Sequence, residues 1–238
     1  MSIIFSDFDG TLTDGSDLGP IFFDILGLIK ANHSSLVIVS GRSLSWGHFY
    51  LTHFPIDVAI MEGGGVLTYR DKYGRIIDEL LVADEEVERL HEVTEALKKN
   101  FSTLGLSADS FGRRTDRAIE LDDLVGRQLQ VEAFLKNIGV NFSCSSVHLN
   151  YWCGEISKAR AVNHFIGSYH PNMNKQECLY FGDALNDQSM FKEFKNSVGV
   201  SNIQPYLQEM EHKPSVILLG EENRGPYGVY NYLKDFWK

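Results

Sequence analysis

Short apolar runs at 3–6, 36–39, 57–60, 178–181, 197–200 and 215–219 alternate with segments of helical periodicity at 18–31, 44–54, 157–169, 187–193, 204–210 and 226–237. Strands buried on both faces read as continuous apolar runs, and a helix between two such strands makes them parallel. The alternation therefore predicts an α/β fold built on a Rossmann-like parallel sheet. Between residues 84 and 152 the rhythm changes to helix, strand, strand, helix, strand, strand. Val87, Leu90, Thr94, Leu97 and Phe101 make one helical face there, and Leu124, Val131, Phe134, Leu135 and Ile138 make another. Antiparallel pairs are expected at 107–111 with 117–121 and at 140–145 with 147–151. The expected organisation is a core domain of residues 1–83 and 153–238 with an inserted α+β cap domain of residues 84–152.

Composition narrows the function. Lys and Arg total 22 against 32 Asp and Glu, a formal charge of -10 that repels phosphate backbones and anionic membranes, so no nucleic-acid or membrane partner is expected. The 3 cysteines, Cys144, Cys153 and Cys178, give neither an even disulfide framework nor a CxxC zinc pair, which fits a reducing compartment. The first residues lack the apolar core of a signal peptide, and no run approaches the roughly 20 apolar residues of a membrane span. A cytoplasmic location is expected. The sequence does not fix the oligomeric state and is compatible with a monomer.

Chemistry concentrates at strand ends, where open α/β sheets bind ligands. Asp7-Phe8-Asp9-Gly10-Thr11-Leu12 follows the first apolar run. Side chains two apart on an extended chain face the same way, so Asp7 and Asp9 are expected to project together, and neighbouring carboxylates repel unless a cation relieves them. That pattern predicts a divalent ion, with the Thr11 hydroxyl free to hold a nearby carboxylate. Ser40-Gly41-Arg42-Ser43 places a hydroxyl where a strand gives way to a helix, a position that suits either an N-cap or an anion. Lys158 follows a Ser157 N-cap, and a cation in the first turn of a helix calls for an anionic partner unless it is simply solvated. Gly182-Asp183-Ala184-Leu185-Asn186-Asp187 supplies further acids behind the run at 178–181, completing an oxygen-rich donor set of the kind magnesium prefers.

Taken in order, Asp7-x-Asp9-Gly10-Thr11, Ser40, Lys158 and Gly182-Asp183-x-x-Asn186-Asp187 resemble the motifs of the haloacid dehalogenase-like phosphohydrolases. The inserted segment, by its position and element order, is similar to the caps of subfamily IIB, which includes Cof-type enzymes and the sucrose-, trehalose- and mannosyl-phosphoglycerate phosphatases. The resemblance implies a magnesium-dependent phosphatase acting on a small-molecule phosphate ester, a sugar phosphate above all, through an aspartyl-phosphate. By the same resemblance Asp7 is the nucleophile, Asp9 the acid and base, and Thr11 the residue orienting Asp9. Ser40, Gly41 and Lys158 hold the phosphoryl oxygens. Asp7, the Asp9 carbonyl and Asp183 bind Mg2+, with Asp187 as a further ligand or a partner of Lys158, and Asn186 supports the loop. Gly63 stands where related sequences often carry Asn.

In the cap, Arg113, Arg114 and Arg117 cluster in an otherwise acidic chain, either to contact the substrate or as a solvated loop. Two other activities use the same acidic pocket. A phosphosugar mutase returns the phosphoryl group to the sugar, and a receiver-like signalling module keeps it on the aspartate.

Overall fold

The computed structural model describes residues 3–15, 18–144 and 148–238. Its elements run β1 (Ile3–Ser6), α1 (Gly19–Ala31), β2 (Ser35–Val39), α2 (Leu44–His53), β3 (Val58–Met61), β4 (Val66–Arg70), β5 (Ile76–Leu80), α3 (Asp84–Asn100), β6 (Asp116–Glu120), α4 (Gln128–Asn137), β7 (Asn141–Cys144), β8 (His148–Trp152), α5 (Lys158–Tyr169), β9 (Leu179–Gly182), α6 (Gln188–Glu193), β10 (Ser197–Gly199), β11 (Val216–Ile217) and α7 (Gly225–Phe236). The main sheet has eight strands in the order β11-β10-β9-β1-β2-β3-β4-β5. All neighbours from β11 to β3 are parallel, whereas β3 with β4 and β4 with β5 are antiparallel.

Alternation along the strands divides the interior in two. Ile4 and Ile38 face α1, α2 and α7, whose Phe22, Ile25, Tyr50, Leu51, Val229 and Leu233 fill one layer. Phe5 and Val37 face α5 and α6, whose Val162, Phe165 and Phe191 fill the other. Both layers are closed around β1, which fixes the end of that strand in place. Phe22 is fully buried and meets the rings of Phe8 and Phe54 at 6.1 and 4.9 Å, so it also braces the loop between Asp7 and Asp9. Phe22→Ala is expected to cost about 3–5 kcal/mol and lower Tm by roughly 10 °C or more. A urea titration giving a loss under about 1 kcal/mol would mean the ring does not carry that layer.

A second sheet, β6-β8-β7, is wholly antiparallel and packs against α3 and α4 through Leu90, Leu97, Ile119, Val131, Leu135, Leu149 and Tyr151. Helix α3 opens with Asp84, Glu85 and Glu86 and closes with Lys98 and Lys99, which complements its dipole.

Two expectations need correction, and one hairpin lies outside them. The segment 107–111 is not a strand but leads into a 3-10 turn, Ala108–Gly112, because the Ser110 hydroxyl exchanges hydrogen bonds with both backbone groups of Ala118 and occupies the edge of β6. The helix expected at 204–210 is replaced by a 3-10 turn at Ser201–Tyr206 that contains Pro205. The β4–β5 hairpin was not anticipated; its edge strand is only partly buried and carries Asp78 and Glu79, so its apolar signal is weak. Residues 145 and 147, expected at the facing ends of the second cap hairpin, lie outside the described residues. Among the described residues, no helix is long and apolar enough to cross a membrane.

Candidate active site

The residues that follow β1 and β9 meet the first turn of α5. Asp7 directly follows β1, and its amide donates to the Phe181 carbonyl at 2.9 Å, extending the ladder by one residue. Asp183 directly follows β9. Lys158 is the first residue of α5, whose N-cap Ser157 accepts a hydrogen bond from Arg160. The Lys158 ammonium sits 2.6 Å from Asp7 Oδ1 and 2.7 Å from Asp187 Oδ1, with all three side chains buried.

Asp187 is held from every side. Its Oδ2 accepts from the amides of Asp183 at 2.9 Å and Ala184 at 3.1 Å, and its Oδ1 also accepts from the Tyr180 hydroxyl. A Cβ on Gly182 would come within 2.5 Å of Asp187 Oδ2, so this turn needs glycine. Gly10 meets the same constraint from another direction: its φ is +78°, and a Cβ there would reach to 2.4 Å from Asp183 Oδ2.

Asp7, Asp183 and Asp187 each offer an oxygen within 4.8 Å of the others. Three buried carboxylates face one ammonium, which leaves the cluster short of positive charge. Burial pushes the Asp7 carboxyl up to about 7, against the pull of Lys158. Burial, then the charges of Asp7 and Asp187, raise Asp183 well above the usual carboxylate range. Burial opposes the charge on Lys158, but Asp187 and Asp7 outweigh it and raise that pKa. A hard, small divalent cation would relieve this arrangement, and the all-oxygen donor set suits one.

The folded pKa of Asp7 lies above its unfolded value of 3.8, so the protonated form is favoured by folding. That stabilisation is present below about pH 4 and is lost as the pH rises through about 7. Tm of the metal-free protein is expected to fall between about pH 5 and pH 8, and millimolar magnesium to restore more of it at the higher pH, because the cation binds carboxylates. Differential scanning calorimetry at matched ionic strength checks this; a flat metal-free profile, or restoration greater at pH 5, contradicts it.

The sequence expectations divide at Asp9. Strand β1 ends at Ser6, so the two-residue alternation does not continue, and Gly10 turns the chain. The Asp9 carboxylate is not one of the three clustered acids; it pairs with Arg42, at 2.8 Å from Nε and 2.6 Å from Nη2, while its charge still acts on Asp7. Thr11 was expected to orient Asp9; its hydroxyl instead donates to Asp183 at 3.0 Å. Ser40 is buried and its hydroxyl accepts from the Arg42 amide at 3.1 Å, while the Gly41 carbonyl accepts from Arg113 at 3.0 Å. Asn186 is exposed at the loop tip.

Among the cap arginines, Arg113 is buried and neutralised by Asp109 and Asp116 at 2.5 and 2.8 Å. Arg117 is buried against the Arg113 and Asp116 carbonyls. Arg114 is exposed.

Sequence reasoning missed several residues. Asn202 donates to Asp183 Oδ2 at 2.8 Å and to the Gly10 carbonyl at 2.9 Å, tying the two acidic loops together. Its signal was available, since it is a polar residue just behind the apolar run at 197–200. Arg42 stands beside the Ser40-Gly41 motif, and its pairing with Asp9 needs the fold to be seen. Tyr180 gave no signal, because only the fold brings it to Asp187, and Glu62 stands in the Met61-Glu62-Gly63 stretch where related sequences often carry Glu-Asn-Gly, but its amide partners are distant in sequence.

A sequence model of haloacid dehalogenase-like hydrolases matches residues 4–111 and 123–219. A search of curated proteins by sequence finds no match. Among solved structures, one from Thermoplasma acidophilum superposes with a TM-score of 0.74 at 17% identity, covering 100% of this chain and 98% of its own. The sucrose-phosphatase of Synechocystis, in complex with sucrose and phosphate, gives 0.71 at 17% identity, covering 99% of this chain and 97% of its own. A phosphatase of the same superfamily from Bacteroides thetaiotaomicron gives 0.70 at 17% identity, covering 100% of this chain and 95% of its own. Identities this low establish a shared fold and no more.

Proposed function

The chain belongs to the haloacid dehalogenase-like hydrolases, and from that premise we propose that it is a magnesium-dependent phosphatase of small phosphate esters, sugar phosphates foremost, with Asp7 as the nucleophile. The observation that carries this reading is the Lys158 ammonium, which bridges Asp7 and Asp187 at 2.6 and 2.7 Å beside the carboxylate of Asp183. A single cation under three buried acids leaves room in the charge balance for a metal and a phosphate.

Asp7, the Asp9 carbonyl and Asp183 would hold the metal, which supplies neutralisation of the charge between nucleophile and phosphate. Asp187 already accepts four hydrogen bonds, so its part is to fix Lys158 and the Asp183 amide. Thr11 and Asn202 orient the Asp183 carboxylate from its two oxygens.

Lys158 holds Asp7 Oδ1 and places its charge beside the incoming phosphoryl group. The Ser40 hydroxyl accepts from the Arg42 amide and keeps its own hydrogen for a phosphoryl oxygen. An Asp7 oxygen attacks phosphorus, the phosphorus–oxygen ester bond breaks, and the Asp9 carboxyl gives its proton to the departing alkoxide. Water then attacks the aspartyl-phosphate, loses its proton to Asp9, and Asp7 leaves as a carboxylate. Asp9 reaches the leaving oxygen by giving up its pair with Arg42, a half-exposed contact and therefore a weak one. From the cap, Arg114 is the arginine left to meet the leaving group, and Gly63 leaves the opposite wall open, since a Cβ there would meet only Ile156 at 3.8 Å.

The test is phosphate release from a panel of hexose phosphates, nucleotides and cofactor phosphates, before and after removal of divalent ions. Magnesium-dependent release from at least one sugar phosphate is expected. Transfer between positions of a sugar without free phosphate would replace the reading with a mutase. A long-lived phosphoprotein without turnover would replace it with a signalling module.

A further inference from the structure

Glu62 is a carboxylate that the reaction does not use, and the fold goes to some expense to place it. It is 1% exposed, and its φ of +55° is a left-handed conformation that a residue with a long side chain rarely adopts. Its backbone is fastened to the phosphate-binding turn: the Glu62 amide donates to the Arg42 carbonyl at 2.9 Å, and the Gly63 amide to the Ser40 carbonyl at 3.0 Å. The carboxylate reaches the other way. It accepts from the Leu44 amide at 3.1 Å, the Arg114 amide at 3.0 Å, the Thr115 amide at 2.6 Å and the Thr115 hydroxyl at 2.7 Å.

All of these partners donate, which is what a carboxylate requires. Burial, and next the charge of Asp116, push the pKa of the group up, so desolvation works against the hydrogen bonds that hold it. The cap comes close enough to exploit the contact. A Cβ on Gly65 would lie 2.0 Å from Thr115 Oγ1, one on Gly112 would lie 2.1 Å from Ser45 Oγ, and Arg113 adds its bond to the Gly41 carbonyl.

We propose that Glu62 is the positioning residue of the cap: it joins the turn that carries Ser40 to residues 113–115, so that placement of Arg114 over the leaving group depends on this one side chain, while the phosphate stays held by Ser40 and Lys158. The proposal rests on the phosphatase reading for its kinetic consequence and on geometry alone for its structural one. A substrate whose phosphate is bound by Ser40 and Lys158 meets the cap only while this contact holds. Loss of the contact therefore weakens recognition of the leaving group and spares recognition of the phosphate.

Two variants test this in the full chain. Glu62→Gln keeps the shape but turns an NH2 group toward backbone donors. Gly65→Ala leaves Glu62 intact and pushes Thr115 away, and Gly65 has φ of -79°, so the backbone itself tolerates Ala. Charge-assisted hydrogen bonds of this kind correspond to roughly ten- to hundredfold in an opening equilibrium. Amide hydrogen exchange of the metal-free protein at residues 113–116 is expected to accelerate by that factor in both variants, with exchange in β1 and β9 unchanged.

For the sugar phosphate that the wild type turns over fastest, KM is expected to rise about tenfold in Glu62→Gln, while the inhibition constant of inorganic phosphate moves less than twofold. Unchanged exchange at 113–116 in both variants would overturn the proposal, as would parallel loss of affinity for inorganic phosphate, which marks a general structural role. The exchange experiment needs no turnover, so it decides on Glu62 even if the chain hydrolyses none of the esters.

Discussion

Replacing Asp7 by Asn is expected to reduce turnover roughly 10⁴- to 10⁶-fold, the scale seen when a covalent nucleophile is removed, while the chain stays folded. The amide is neutral, cannot form the acyl phosphate, and presents one ligand fewer to a cation. Removing one member of a buried ion pair is often strongly destabilising, by about 3–5 kcal/mol, because the other charge is stranded. Here Lys158 keeps Asp187 at 2.7 Å, and the cluster loses one of its three mutually repelling carboxylates. Since burial holds the Asp7 pKa up at about 7, the folded state gains little from that charge at neutral pH. Metal-free Tm at about pH 8 is therefore expected to stay level or rise. Steady-state kinetics and a thermal melt check both halves; turnover within tenfold of wild type would take the nucleophile's role from Asp7.

Asp9→Asn is expected to lower kcat by about 10²- to 10⁴-fold, the usual share of a positioned acid and base. Its effect on the fold is small. The pair with Arg42 is about one-third exposed at the arginine and two-fifths at the aspartate, and half-exposed pairs contribute about 0–1 kcal/mol. Because the carboxylate faces Arg42 rather than Asp183, magnesium affinity is expected to survive the substitution. In kcat/KM, which reports the step that releases the alcohol, the loss is larger for alkyl esters, whose leaving group needs a proton, than for aryl esters, whose leaving group does not. Equal losses of kcat/KM for the two ester classes, or kcat within about threefold of wild type, would remove Asp9 from proton transfer.

These two aspartates also mark how far the sequence could be read. Asp7, Asp183 and Lys158 were legible because each follows a recognisable strand or N-cap, and a parallel sheet brings strand ends to one edge. What remained hidden depends on turns. Strand β1 ends at Ser6, so strand alternation does not set the direction of Asp9, which pairs with Arg42, and the Thr11 hydroxyl donates to Asp183. The cap arginines looked alike in sequence, yet Asp109 and Asp116 consume Arg113 while Arg114 stays exposed. The Glu62 stretch could be compared with the Glu-Asn-Gly of related sequences, but the contacts of its carboxylate were hidden for the same reason: its partners at 44, 114 and 115 are assembled only by the cap's placement. The 107–111 segment shows a hydroxyl displacing a strand, a substitution that apolar periodicity does not register.

The most direct measurement joins the two predictions. Asp9→Asn is mixed with para-nitrophenyl phosphate and magnesium, a substrate that needs no proton for its first step and so loads Asp7 while the second step is starved of its base. A burst of one nitrophenol per protein is expected, followed by a slow phase, with one phosphoryl group found on the peptide that contains Asp7 and none in the Asp7→Asn, Asp9→Asn double variant. Linear nitrophenol release without a burst, with the Asp7 peptide unmodified throughout, would contradict the account.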